Sequence, residues 1–251
     1  MGPGLPAAGG GRWVNVAPER LAGWFDRFVE RHGPIAWTAS PLALIATAAD
    51  GAVADCQVPF PPLRSAPTAT ETAVAATAAT EVVAAPVSVP VAAGDGDPAH
   101  QLAAHALVDR RVGVLLVRLG GHAAGVFDGP RLIASKVGTR QVHGRSAAGG
   151  WSQHRFARRR DGQVKVALAA AADVAAAVLL PVAAELDAVV LGGERRAAEQ
   201  VLDDPRLRRL RGLVVPPFLT VPDPRRRVLD ESPGQFRAVR IRVVEPEAPA
   251  L

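Results

Sequence analysis

A change of hydrophobic period in the middle of the chain limits its fold more than any other feature. Val112–Leu119, His122–Phe127 and Arg131–Lys136 are three short strand-like runs, separated by Gly120-Gly121 and by Asp128-Gly129-Pro130. Turn residues placed this way predict an antiparallel meander. The period then lengthens. Phe156, Val164, Leu168, Ala171, Ala175 and Val178 recur on one face of a helix, and Pro181 ends or kinks it. Asp187–Leu191 reads as a buried strand, Gly192-Gly193 as a turn and Glu194–Leu202 as a helix. Leu213–Val215 follows as a short strand, Arg225–Phe236 as a helix and Ala238–Val244 as the last strand. Strands that first form a meander and then alternate with helices predict a layered α/β (α+β) domain, a mixed β-sheet with helices packed on it.

The N-terminal side reads differently. Residues 1–15 are Gly-, Pro- and Ala-rich and are expected to be disordered. Leu21, Trp24, Phe25, Phe28 and Val29 predict a helix over 18–31 that stops at Gly33-Pro34. Ile35–Ala39, Ala43–Ala49 and Ala52–Val58 read as strands, with Asp50-Gly51 as a hairpin turn. In residues 65–99, Ala, Thr, Val and Pro fill 27 of 35 positions, and Lys and Arg are absent. That composition predicts a low-complexity insertion, with a β-hairpin through Glu81–Val91 as the alternative. Order is expected to resume near His100 with a short helix. The organisation expected is a single domain over 16–244, interrupted by the insertion, and a tail at 245–251.

Several function classes fall away. Cys56 is the only cysteine, so there is no internal disulfide framework and no Cys-rich zinc site. A lone Cys in a strand-like run reads as core filler. The longest uncharged run, Gly33–Ala49, has 17 residues and contains Pro34 and Pro41. A membrane span needs about 20 mostly apolar residues. With no charged start and no apolar core at the N-terminus, the expectation is a cytoplasmic protein with no membrane partner.

Charge is more informative. Of 29 Lys and Arg residues only Lys136 and Lys165 are lysines. Residues 131–165 hold nine basic residues and one acid, Asp161, for a segment charge of +8 against +5 for the whole chain, so the rest sums to −3. A localised basic patch is the footprint of a polyanion binder. Its centre runs Gly138-Thr-Arg140-Gln-Val-His143-Gly144-Arg145-Ser-Ala-Ala-Gly149-Gly150-Trp151-Ser152-Gln153-His154-Arg155. It has neither strand nor helix period and opens into the long helix. Glycines allow close backbone approach to a ligand, and a helix start offers free N–H donors. Trp151, between Gly and Ser in a basic loop, reads as a base-stacking tip, or else as a packing residue. Arg158, Arg159 and Arg160 read either as a solvated helix face or as phosphate contacts. Three adjacent cations do not share one face, so two of them at most reach the same partner.

Rival chemistries fit less well. Gly150-Trp151-Ser152-Gln153-His154 approximates the Gly-x-Ser-x-Gly nucleophile elbow, but His154 replaces the last glycine and a basic loop stands where a strand is needed. His100 and His105 lack helical zinc spacing and read as surface or core residues. Asp203-Asp204 and Glu185 with Asp187 are paired acids that suggest a metal nuclease, yet the basic segment contains no acid except Asp161. No metal and no cofactor are expected.

His143-Gly144-Arg145, Gly149-Gly150 and Arg155-Phe156-Ala157-Arg158 together resemble the loop and helix of the middle domain of eukaryotic and archaeal class-1 release factors. In that family a Gly-Gly-Gln loop enters the peptidyl-transferase centre. Gly-Gly-Trp-Ser-Gln is closer still to the Vms-type release-factor-like peptidyl-tRNA hydrolases of ribosome quality control and their actinobacterial branch. The resemblance is strong over about 110–160. It extends more weakly, through the strand order and Leu191-Gly192-Gly193-Glu194, to about 244. It implies a release-factor middle-domain-like (RNase H-like) fold and hydrolysis of ribosome-bound peptidyl-tRNA in ribosome rescue. The implied partners are the large ribosomal subunit, its rRNA and peptidyl-tRNA, with no DNA. Carried over by position, Gln153 with Gly149 and Gly150 forms the catalytic tip. Arg140, His143, Arg145, Trp151, Arg155, Arg158, Arg159 and Arg160 bind RNA. The register has two readings: an ungapped match through Arg155-Phe156-Ala157-Arg158 sets Trp151 opposite the release-factor glutamine, whereas the separated glutamine of the Vms-type branch selects Gln153. The alternative function is a non-catalytic RNA- or ribosome-binding protein of the same fold.

Overall fold

A computed structural model of the chain describes residues 5–7, 9–63, 97–118, 120–139 and 152–246, and for 152–161 the backbone only. The first strands are β1 (Leu5–Pro6) and β2 (Arg12–Val16), followed after a 3-10 turn at Pro18–Arg20 by helix α1 (Leu21–His32). Then come β3 (Ile35–Ala39), β4 (Ala43–Ala48), β5 (Val53–Gln57) and α2 (Pro98–Leu107). The middle of the chain forms β6 (Arg111–Arg118), β7 (Gly121–Asp128), β8 (Arg131–Thr139), α3 (Ser152–Leu179), β9 (Ala188–Gly193) and α4 (Arg195–Leu202). A 3-10 segment at Pro205–Leu213, the short helices α5 (Arg226–Glu231) and α6 (Pro233–Phe236), and β10 (Val239–Val244) complete it.

These elements divide into two units, one of residues 1–108 and 237–251 and the other of 109–236. Within the span of 16–244 expected as a single domain, the two units each have a sheet and a hydrophobic core of their own. In the first unit the strand order is β1-β2-β10-β5-β4-β3, antiparallel throughout. Strand β10, from the end of the chain, lies between β2 and β5. The expected disorder over 1–15 is corrected here for the described part: Arg12–Val16 pairs with Val239–Val243. The alternating apolar residues of β10 need a neighbour on each side, and Trp13, Val14 and Val16 supply one of them. Helix α1 buries Leu21, Trp24, Phe25 and Phe28, at i, i+3, i+4 and i+7, in the core with Leu44, Ala46, Cys56 and Ile241. Trp24 stacks on Phe28 at 5.4 Å and meets Phe25 edge-on at 4.9 Å. Each such burial contributes about 1.5–3 kcal/mol. Cys56 is fully buried, and desolvation pushes its thiol far above the ordinary range, as a core filler requires. Helix α2 starts at Pro98, where Asp97 Oδ1 accepts from the Ala99 N–H at 3.0 Å. Order thus resumes slightly before His100. The insertion, with its alternative hairpin at Glu81–Val91, lies outside the described residues.

The second unit has the mixed sheet. Its order is β8-β7-β6-β9, with β6–β7 and β7–β8 antiparallel and β6–β9 parallel. Strands β6 and β7 are buried along nearly their whole length because helices cover both faces. On one face Leu115, Val117, Ala124, Val126, Val189 and Leu191 meet α3 and α4. On the other, Phe127 meets Phe236 edge-on at 5.4 Å, and α5 lies over β7 and β8. The α3 residues in the core are Ala167, Ala171, Ala172, Val174, Ala175 and Leu179; of the face read from the sequence, Ala171 and Ala175 are among them, and Leu168 and Val178 pack half-buried against the same core. Leu213–Val215 is not a strand: the 3-10 segment runs to Leu213, and only isolated parallel bridges form at Val189–Val214 and Gly192–Leu219. The helix expected at Arg225–Phe236 is two, broken before Pro233. Gly162–Val182 is long and apolar enough to cross a membrane by length and composition alone, which the count of uncharged residues did not reveal. Its buried alanines instead pack on the sheet.

Candidate functional site

The basic segment is carried by β8 and α3. Strand β8 is the edge of the mixed sheet, and its last residue, Thr139, pairs with Gly121. Register then links Gly121 to Arg118 of β6, and Val117 to Gly193 of β9. The end of the sheet from which residues 140–151 depart is thus built from Thr139, Gly121, Arg118 and Gly193. Arg118 is tied down there, with Nη1 donating to Val221 O at 3.0 Å and Nε 3.6 Å from Asp223. Gly192-Gly193, expected as a turn, instead ends β9, paired with Leu116 and Val117, and the local geometry requires both glycines. A Cβ on Gly192 would stand 2.7 Å from Leu219 Cβ, and Gly193 has φ +95°.

Inside this end lies His122, buried on the face that α3 covers and paired in register with Gly138. The imidazole occupies the space a side chain at Gly138 would need: an added Cβ would be 2.9 Å from His122 Cε1. The last residues of β8 are therefore fitted to a buried ring. Neither His122 nor this role for Gly138 emerged from the sequence, where a lone His in a strand gives no such signal.

Ser152 is the first residue of α3 and Gln153 the second, so Gln153, Arg155, Arg158, Arg159 and Arg160 all lie in its first three turns. No acid lies in the first turn. The positive end of the helix dipole is left without a neighbouring carboxylate on the helix itself, which favours an anion or developing negative charge nearby. Among side chains described in α3, the first that is buried is Ala167. The described side chains from Ala167 onward anchor the helix to the sheet. Arg140, His143, Arg145, Gly149, Gly150 and Trp151 lie outside the described residues.

The acids proposed for a metal nuclease have structural partners. Asp204 caps the 3-10 segment through the Arg206 N–H and receives Arg206 Nε and Nη2 at 3.0 and 2.7 Å. The Arg206 contacts lower its carboxyl to about 2. Asp203 pairs with Arg211, Glu185 with Arg111, and Asp187 accepts from the Arg111 N–H at 2.7 Å. His105 Nε2 lies 2.9 Å from Pro59 O, and exposed His100 is 3.0 Å from Asp97. Among the described residues, no group of three or more His, Cys, Asp or Glu is arranged to hold a metal. A cleft of about 590 Å³ lies along α4, where the Arg195 guanidinium sits 4.3 Å over the Phe218 ring. It is a second feature that sequence reading missed, since its walls come from Leu191, Arg195, Arg211 and Phe218 on separate segments.

Residues 110–242, more than half of the 251, match the family model described as the Actinobacteria/chloroflexi VLRF1 release factor. No curated protein matches the chain. Among solved structures, the archaeal translation termination factor aRF1 is similar at 19% identity and a TM-score of 0.36, over 50% of this chain and 36% of that one. This chain therefore spans about a third of that factor's length. A second structure, described as an archaeal protein, is similar at 14% identity and a TM-score of 0.35, over 89% of this chain and 74% of that one.

Proposed function

This chain belongs to the Actinobacteria/chloroflexi VLRF1 release factor family, and from that premise we propose that it is a peptidyl-tRNA hydrolase. Its substrate is ribosome-bound peptidyl-tRNA on the large subunit, and its cytoplasmic role is to release stalled nascent chains. The observation that carries this reading is the family match over 110–242, which includes the whole Gly-rich basic loop and α3.

In the proposed reaction water attacks the carbonyl carbon of the peptidyl ester. The bond from that carbon to the tRNA 3′-oxygen then breaks. One proton of the water ends on the 3′-oxygen, leaving a free 3′-hydroxyl and a peptide carboxylic acid, which ionises to the carboxylate by releasing its proton to solvent. Gln153 is assigned the polar role. An amide does not ionise near neutral pH, so it is no general base. It orients the water and donates to negative charge developing on the ester oxygens. One such donor is worth about 3–4 kcal/mol in other enzymes. The rest of the acceleration is assigned to positioning within an RNA-walled site that the ribosome supplies. Gly149 and Gly150 let the tip approach closely, and the arginines from Arg140 to Arg160 hold it against phosphates.

The test is release of a labelled peptide from peptidyl-tRNA on purified large subunits, wild type against Gln153→Ala. Loss of release with ribosome binding retained supports the assignment. Release at the wild-type rate moves the catalytic amide away from Gln153 and makes Trp151 the next position to vary. Binding without release by the wild type selects the non-catalytic alternative.

A further inference from the structure

A small cavity in the first unit has the composition of an anion site and lies outside the basic segment assigned above. It opens between α1 and the β2–β10 strands, with a volume of about 50 Å³. A water needs roughly 10–15 Å³ measured in this way, so the space suits three to five waters or one tetrahedral anion, not a nucleoside. Arg12, Arg27 and Arg31 line it, with Trp24, His32 and Glu245. Arg27 and Arg31 are exposed and form no ion pair among the described residues. Three guanidinium groups against one carboxylate leave an excess of two positive charges.

Two of the lining residues carry buried donors that lack acceptors. Trp24 is 4% exposed, and its indole Nε1 has no hydrogen-bond partner; Arg12 Nε is likewise buried and unpaired. Buried N–H groups are nearly always satisfied, so two orphans on residues lining one cavity point to a missing acceptor. Glu245 already occupies part of the rim, 3.3 Å from Arg12 and 3.5 Å from His32 Nε2, while His32 Nδ1 is held by Asp50 at 2.8 Å. A second carboxylate would offer two coplanar oxygens. A phosphate offers acceptors in several directions, which suits guanidinium groups arriving from a helix and a strand.

We propose that this cavity holds one phosphate group, presented by an RNA strand or as free inorganic phosphate. The proposal does not depend on peptide release. The four tryptophans give four indole N–H resonances, and that of Trp24, assigned with Trp24→Phe, reports this site alone. The full chain is titrated with inorganic phosphate, with a single-stranded hexauridylate and with acetate. The expected result is a saturable shift of the Trp24 indole resonance with phosphate and hexauridylate and none with acetate. Exposed Arg27→Ala/Arg31→Ala, checked for folding by thermal melting, should weaken that binding about tenfold or more, the loss of at least one charge-assisted contact. Glu245→Gln should tighten it by removing a competing carboxylate. Saturation at lower hexauridylate than phosphate concentration assigns the group to an RNA strand, and the reverse assigns it to the free anion. No shift with either probe, an equal shift with acetate, or unchanged binding in the double arginine variant would overturn the proposal.

Discussion

His122 of β7 and Gly138 of β8 are register partners, and the buried imidazole fills the volume that any side chain at position 138 would need. The pair sits at the sheet end where β8 stops, at Thr139. It couples the packing under α3 to the last residues of β8.

Gly138→Ala should therefore destabilise the protein by about 1–3 kcal/mol, the usual cost of forcing a methyl group into filled space. His122→Ala, which empties that space, should rescue it in part. In a double-mutant cycle followed by denaturant unfolding, the two changes should show a coupling of about 0.5 kcal/mol or more. Strict additivity would mean that the ring does not occupy the glycine's space in solution.

Gly162 lies within α3, and a Cβ added there meets nothing within 4 Å. Glycine in a helix interior costs roughly 0.5–1 kcal/mol relative to alanine. Gly162→Ala is expected to stabilise the second unit by that amount, read as a higher unfolding midpoint. A lower midpoint would show that the helix bends at this residue.

Asp204 gives an acid-dependent prediction. Its carboxyl, held mainly by Arg206, is lowered from 3.8 to about 2. A lowered folded-state value contributes stability that is fully present above the unfolded value and lost as pH falls through the folded one. Asp204→Asn should thus lower the melting temperature at neutral pH. Its own melting temperature should fall less steeply than that of the wild type between about pH 4 and about pH 2. Parallel curves for the two proteins would remove Asp204 from the acid response.

The parts of the fold legible in the sequence are those with local signals. Strands β6 to β8 fall within a residue or two of expectation, except that β8 runs on to Thr139, because Gly120-Gly121 and Asp128-Gly129-Pro130 mark their turns. Strand β2 was lost behind a Gly-rich run, since its partner, β10, comes from the other end of the chain. For the same reason nothing local announced two units: Val239, Ile241 and Val243 alternate correctly but do not say which sheet they join. In α3 the face read through Leu168, Ala171, Ala175 and Val178 packs on the core, while Ala167, Ala172 and Val174 widen it, because alanines carry little contrast at the edge of a buried stripe. The candidate site is read from the glycines and arginines of the sequence, and residues 140–151 lie outside the described residues. The Arg12, Trp24 and Arg31 cavity was not, because a strand and a helix must pack before those side chains meet.

The last prediction separates binding from chemistry within one segment. Arg145, Arg155, Arg158 and Arg159 surround Gln153 in sequence, and the last three share the first turns of α3 with it. If these arginines neutralise phosphates, each releases counterions on binding. Replacing one by Ala should then weaken ribosome binding and flatten the log–log salt dependence by about one unit or less. Gln153 carries no charge, so Gln153→Ala should leave that slope unchanged and slow only release. The measurement is binding to purified large subunits across a salt series, beside single-turnover peptide release at saturating protein. Unchanged affinity and slope after neutralising two of these arginines would make the +8 segment a solvated surface. A changed slope in Gln153→Ala would mean that the substitution disturbs the helix start, and its loss of release would then no longer measure the amide.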